Sequence, residues 1–250
     1  MESGNPVLKG RSFSQGGYAR PLELGEAMTI QGTVNKTGFL LLLAFATSAW
    51  VWRMFYTSGN PAIVTPYVIL GAIGGLIVAV ATVFKPNWAT LTAPLYALLE
   101  GLVLGGVSAM FESVYHGIVL QAVGLTFGVL FCMLVAYKTG MIRATEKFKV
   151  GVIAATGGIM LLYLLSMVMG FFGVAIPGIF GNGVIGIGFS VVVVVIAALN
   201  LVLDFDLIER GAAGGAPKFM EWYGAFALMV TLVWLYLEIL RLLSKLQSRR

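Results

Sequence analysis

The stretch VVVVVIAALNLVLDF, residues 191–205, is almost wholly apolar and yet contains Asn200 and Asp204. A second stretch of the same kind, TLVWLYLEILRLL at residues 231–243, contains Glu238. A membrane-spanning helix needs roughly 20 mostly apolar residues, and both stretches reach that length with their flanks. An acid inside a bilayer costs free energy, so acids found there usually serve ions, protons or a partner charge. Asp204 and Glu238 are therefore the first candidates for function.

The composition of the whole chain extends this membrane interpretation. Of the 250 residues, 59% are hydrophobic and only 11% are charged, whereas a soluble domain is about 25% charged. Apolar stretches of spanning length begin near residues 37, 62, 89, 117, 150, 184 and 220. We therefore predict an all-α integral membrane protein, a single seven-transmembrane-helix bundle over residues 36–247. Residues 1–35 are predicted to be a flexible cytoplasmic tail with an interfacial helix around Met28, Ile30 and Val34.

The positive charges indicate the orientation. The net charge is +5, and most lysines and arginines fall between spans on the side of the N-terminus. Positive loops favour the cytoplasm, so we expect a multi-pass protein of a cell membrane with a cytoplasmic N-terminus. Seven spans place the C-terminus outside, but the basic residues of the C-terminal tail leave its side open. No nucleic-acid partner is indicated, and the single Cys132 cannot form an intramolecular disulfide.

The sixth predicted helix separates its two aspartates. Asn200, Asp204 and Ile208 are spaced by four and share a face, whereas Asp206 is turned about 200° away from Asp204. Asp206 also precedes Arg210 by four residues, the spacing of a surface ion pair. Asp204 is therefore the stronger functional candidate, and Asn200 and Asp206 are candidates for lining an ion pathway.

The sequence allows two interpretations of the role of Glu238. Arg241 at i+3 can pair with it and give it a structural role. Alternatively, Glu238 approaches Asp204, and two carboxyls in one desolvated site titrate as a unit, because they cannot both ionise cheaply. Such a pair would share a hydrogen when protonated and admit a cation when deprotonated, with calcium favoured by oxygen ligands. This predicts a gate that opens as pH rises, with both acids as tentative calcium ligands.

Helix geometry opposes the pairing. In a straight antiparallel hairpin, Asp204 lies about 14 Å above the turn and Glu238 about 30 Å, and Glu221 then faces Asp204. The pair with Glu238 requires residues 218–224 to lie outside the membrane helix. Glu100, in the third span, is a further candidate for the pathway, or else a buried acid bonded to its neighbours.

Motifs of the common enzyme classes are absent: there is no GxSxG, HExxH, CxxC or P-loop. We expect neither an enzyme nor a tightly bound cofactor. The expected partners are the bilayer, protons and calcium as a permeant ion. Another membrane protein could bind the small-residue faces of the second and third helices.

Three motifs resemble those of a known family: LDFDLIER at residues 203–210, LYLEILRLL at 235–243 and TLTAPLYALLEGLVLGG at 90–106. With the basic loop after residue 140, they identify the chain as similar to bacterial members of the Bax inhibitor / YccA family, also called the transmembrane Bax inhibitor motif family.

The resemblance implies a pH-sensitive calcium leak, in a bacterial inner membrane, gated by an acidic pair on the last two helices. That pair falls on Asp204 and Glu238, although the family usually has an aspartate where Glu238 stands. Ile208 at i+4 favours Asp204 over Asp206 as the first partner. The alternative is a regulatory membrane protein that binds a membrane protease or another membrane partner without transport.

Overall fold

The computed structural model describes residues 27–173, 179 and 181–249. Within them the chain forms helices long and apolar enough to cross a membrane, and no strand. They are α1 (Ile30–Ser58), α2 (Thr65–Phe84), α3 (Ala89–Val114), α4 (Ile118–Lys138), α5 (Glu146–Phe171), α6 (Val184–Ala213) and α7 (Met220–Gln247). The predicted all-α, seven-helix membrane fold is confirmed.

The first helix begins earlier than predicted. The Thr29 side chain caps α1 by accepting a hydrogen bond from the Gly32 amide at 2.9 Å, which satisfies one of the free donors of the first turn. Ile30 and Val34 therefore belong to α1 and not to a separate interfacial helix. Most of the predicted tail, residues 1–26, lies outside the described residues.

The last helix is the centre of the bundle. In its most apolar window 56% of the residues are buried, against 11% for α5. Leu235 and Leu240 pack with α6 and α4 in one apolar cluster, and Met229 packs with α1 and α3 in another. Polar side chains carried by α7 are consequently drawn into the interior of the protein.

Glycines bring α3 close to α1 and α2. A Cβ on Gly101 would collide with the carbonyl oxygen of Ala44, and one on Gly105 with that of Ser48. Gly71 of α2 lies equally close to the backbone of α3. Small residues permit such close helix contact. These faces of α2 and α3, predicted to receive another membrane protein, are used inside the bundle, so that part of the prediction is wrong.

The helices alternate in direction because their connections are short. We call the end at which α1, α3, α5 and α7 begin the basic end, since the end of α4, the α4–α5 connection and the first turn of α5 place four basic residues there: Lys138, Arg143, Lys147 and Lys149. The other is called the opposite end. Asp204 lies in the half of α6 nearer the basic end, and Glu238 in the half of α7 nearer the opposite end.

Candidate functional site

Asp204 is a partly buried acid without an ion-pair partner among the described residues. Its Oδ2 atom is inaccessible and has no hydrogen-bond partner among the described residues. The carboxyl group interacts with Thr231 of α7, whose hydroxyl also donates to the Ala227 carbonyl at 3.3 Å. Asp204 takes part in none of the ion pairs of the described chain. An ionised carboxylate in this place would therefore carry an uncompensated charge.

Glu238, by contrast, has a cation beside it. Its Oε1 atom accepts hydrogen bonds from Arg241 Nη1 at 2.7 Å and from the Tyr163 hydroxyl at 2.8 Å. Arg241 Nη1 also donates to the Tyr163 hydroxyl oxygen at 2.9 Å. Each of the three side chains is thus hydrogen-bonded to the other two. Only 2% of Glu238 is exposed, and its Oε2 atom has no partner among the described residues. The predicted i, i+3 pair with Arg241 is confirmed.

No hydrogen bond joins Asp204 to Glu238 in the described part of the chain: Glu238 Oε1 is bonded to Tyr163 and Arg241, and the Oδ2 atom of Asp204 and the Oε2 atom of Glu238 have no partner there. Asp204 faces Thr231, which precedes Glu238 by two helical turns, about 10 Å along α7. The pairing required residues 218–224 to lie outside the membrane helix, but α7 begins at Met220. The shared-hydrogen arrangement predicted from the sequence is thus not formed in this structure.

Glu221, which a straight helical hairpin would place opposite Asp204, does not face Asp204 either. It is fully buried at the start of α7 and binds α1. Its carboxylate pairs with Lys36 and, at 2.9 Å, with Lys218. It also accepts from the Thr29 amide at 2.9 Å and the Thr29 hydroxyl at 2.8 Å. The expectation that Glu221 lies opposite Asp204 is wrong, because the α6–α7 turn places Thr231 at that level.

Asp206 belongs to the surface of the basic end. It pairs with Arg210 Nε at 2.9 Å, as its i, i+4 spacing predicts. Lys149 of α5 adds a second ion pair at 2.9 Å and also reaches Glu146 at 3.3 Å. The charge of Asp206 is balanced there, on the other side of α6 from Asp204.

The two remaining candidates bond to other partners. Glu100 accepts a hydrogen bond from the Tyr96 hydroxyl at 3.0 Å and lies near Gly75 of α2. Asn200 donates to the Thr156 hydroxyl at 2.8 Å, which links α6 to α5. Neither is hydrogen-bonded to Asp204, although Asn200 lies one turn away on the same face. Glu100 and Asp204 are not brought into one site by any of these bonds.

Lys245 is a buried residue that sequence reasoning assigned to the tail. It is 4% exposed and donates to the Gly186 carbonyl at 3.0 Å and the Ser190 hydroxyl at 2.9 Å. Its spacing of seven from Glu238 and four from Arg241 puts all three on one face of α7. That spacing was the available signal for its burial.

A resident calcium ion does not fit these positions. Calcium takes six to eight oxygen ligands, whereas Asp204 and Glu238 lie about two turns apart and each contributes one free oxygen. No cluster of three or more His, Cys, Asp or Glu exists within the described part of the chain. Asp204 and Glu238 thus form two separate oxygen positions and not one coordination site among the described residues.

No curated protein matches the chain. The family described as Bax inhibitor 1 like matches over residues 5–248, which covers nearly the entire sequence and all seven helices. The apolar helices require a lipid bilayer as their surroundings. The chain is thus a multi-pass membrane protein that belongs to the Bax inhibitor 1 like family.

Proposed function

We propose that the protein is a pH-sensitive calcium leak of a cell membrane and not an enzyme, with Asp204 as the proton-sensing group. The observation that carries the proposal is the buried Oδ2 atom of Asp204, which has no hydrogen-bond partner among the described residues, where Asp204 also takes part in no ion pair. Membership of the Bax inhibitor 1 like family supports the same reading.

The sign of the pH effect follows from the surroundings of Asp204. A protonated carboxyl is neutral and is tolerated next to Thr231 in the apolar contact between α6 and α7. Loss of the proton leaves a charge that nothing in the described structure neutralises, and water or a cation must then enter to solvate it. Calcium, a hard cation, prefers oxygen ligands of this kind. Calcium flux is therefore expected to rise with pH.

Glu238 has a different role in this proposal. Its charge is already balanced by Arg241. Its Oε2 atom, which has no hydrogen-bond partner among the described residues, is the next carboxylate oxygen along α7 that a cation from Asp204 would reach. Release of Arg241 would also make the Oε1 atom accessible. Glu238 thus acts as a gating residue nearer the opposite end, and Asp204 as the sensor.

The test is calcium flux into vesicles that contain the purified protein and a calcium dye. Wild-type flux should increase between about pH 6 and pH 8, and Asp204→Asn should remove this dependence. Asp206→Asn is the matched control, because it changes the same residue type two positions away at a surface ion pair. Folded protein without calcium flux, or an unchanged pH profile in Asp204→Asn, contradicts the proposal.

The structure also favours one surface for the alternative function, a regulatory protein that binds another membrane protein. Gly124 and Gly128 of α4 are exposed, have open space around them, and are spaced by four, which suits close approach of a foreign helix. Gly124→Leu with Gly128→Leu should then abolish co-purification of a partner and leave calcium flux intact. Asp204→Asn should remove the pH dependence of calcium flux and leave co-purification of the partner intact.

The orientation is part of the proposal. We infer that the basic end faces the cytoplasm, because positively charged loops are retained there. A single cysteine placed at Lys147, in a Cys132→Ser background, should react with an impermeant thiol reagent only after cells are opened. Labelling of intact cells at this position would reverse the orientation.

A further inference from the structure

A second polar site lies at the opposite end, between the ends of α5 and α7 and the start of α6. It is a cavity of about 550 Å³ whose lining includes the cations Arg241 and Lys245 and the polar side chains Ser166, Asn182 and Ser244. Cavities of this size hold small ligands. It does not contain Asp204, and nothing said above about proton sensing uses it.

The cavity carries an excess positive charge. Arg241 and Lys245 contribute two charges, and the carboxylate of Glu238, bonded to Arg241, removes one. Lys245 is buried and donates to neutral oxygens of Ile179, Gly186 and Ser190, and it forms no ion pair among the described residues. A buried ammonium with only neutral partners is stabilised by an anion nearby. Arg241, Lys245 and Glu238 together therefore carry a net charge of +1, which an anion would balance.

Arg241 has hydrogen-bonding capacity left for that anion. Its bonds to Glu238 and Tyr163 both come from Nη1, and 41% of its side chain is exposed. A guanidinium has five donors in a planar fork that matches the oxygens of a phosphate group. The remaining donors, with Ser166 and Asn182 on the cavity wall, provide directed hydrogen bonds, and Lys245 provides charge.

We propose that this cavity binds a phosphate group, either the headgroup phosphate of a phospholipid or free phosphate. Arg241 and Lys245 lie in the last two turns of α7, within about 10 Å of its end. That is the depth at which lipid headgroups meet a spanning helix. The proposal does not use Asp204, and it shares with the proposed calcium leak only Arg241, the ion-pair partner of Glu238.

The experiment measures the melting temperature of the purified full-length protein in a non-ionic, phosphate-free detergent. One arm adds phosphatidylglycerol, and its control adds diacylglycerol with the same acyl chains but no phosphate. The other arm adds inorganic phosphate, with chloride at equal ionic strength as its control. Stabilisation by phosphatidylglycerol alone identifies a lipid headgroup, and stabilisation by inorganic phosphate as well identifies a site for the phosphate group itself.

Two variants tie the effect to the cavity. Lys245→Met removes a charge without touching Glu238 and should weaken the phosphate-dependent stabilisation about tenfold in apparent affinity. Ser166→Phe fills the cavity, changes no charge and should abolish the effect. Arg53→Gln, which removes an exposed charge at the same end outside the cavity, should not alter it.

The proposal is overturned if the protein is stabilised in neither arm. It is also overturned if the stabilisation survives both cavity variants. If Lys245→Met fails to fold, Ser166→Phe decides alone, because it leaves every ion pair of the cavity in place.

Discussion

Glu221 and Asp204 are both acids enclosed between helices of the bundle, Glu221 fully buried and Asp204 partly so, but their surroundings differ completely. Glu221 receives Lys36, Lys218 and two hydrogen bonds from Thr29. Asp204 has an oxygen without a hydrogen-bond partner and no ion pair in the described part of the chain. The difference teaches that enclosure alone does not assign a function to an acid. Glu221 fastens the start of α1 to α7, whereas no described cation holds the charge of Asp204.

The largest effect on stability is expected for Glu221→Gln. The amide keeps the shape but loses the charge that two lysines and Thr29 bind, so we expect a loss of about 3 kcal/mol in the free energy of unfolding. Denaturant unfolding in detergent measures it. Glu209→Gln is the control at the same end, because its half-exposed ion pair with Lys138 is worth under about 1 kcal/mol. Equal losses in both variants would contradict the assigned role of Glu221.

The Glu238 group is expected to give the next largest effect. Arg241→Gln leaves a buried carboxylate without its cation and should cost about 2 kcal/mol. Adding Glu238→Gln removes that unpaired charge and should recover about half of the loss, which a double-mutant cycle measures. Strictly additive losses would show that the two side chains do not interact.

A smaller effect is expected at the surface of the basic end. Asp206→Asn breaks ion pairs with Arg210 and Lys149. Arg210 is more than half exposed, whereas the pair with Lys149 is only 18% and 13% exposed. The loss should therefore be about 1.5 kcal/mol and should shrink in high salt. A loss as large as that of Glu221→Gln would place Asp206 in the core of the protein, against its position here.

The smallest effect on stability is expected for Asp204→Asn. Nothing pairs with the Asp204 charge, and an amide can keep the interaction with Thr231, so the free energy of unfolding should stay within about 1 kcal/mol or rise slightly. The same unfolding assay at neutral pH measures it. A large loss would reveal a partner for Asp204 and remove its contrast with Glu221.

Local spacing explains what the sequence could predict of this fold and site. Spans are readable because apolar runs of spanning length are interrupted by turns such as the one around Asn60 and Pro61. The pairs of Glu238 with Arg241 and of Asp206 with Arg210 are readable from their i, i+3 and i, i+4 spacing.

Contacts between distant segments could not be read in the same way. The partners Lys36 and Glu221 are 185 residues apart, and Thr29 and Glu221 are 192 residues apart. Whether Asp204 meets Thr231, Glu221 or Glu238 depends on the residue at which α7 begins. Because α7 begins at Met220, the level of Asp204 falls on Thr231, and a shift of two turns would be needed to bring Glu238 there.

The most direct test of the central claim is infrared difference spectroscopy of the protein between about pH 6 and pH 8, following the carbonyl band of protonated carboxyl groups. In the wild type, a band that is present at the lower pH should disappear at the higher pH. This pH-dependent band should be absent from Asp204→Asn. It should be unchanged in Asp206→Asn and Glu221→Gln. A band that survives Asp204→Asn, or that vanishes with Glu221→Gln, would contradict Asp204 as the proton-sensing group.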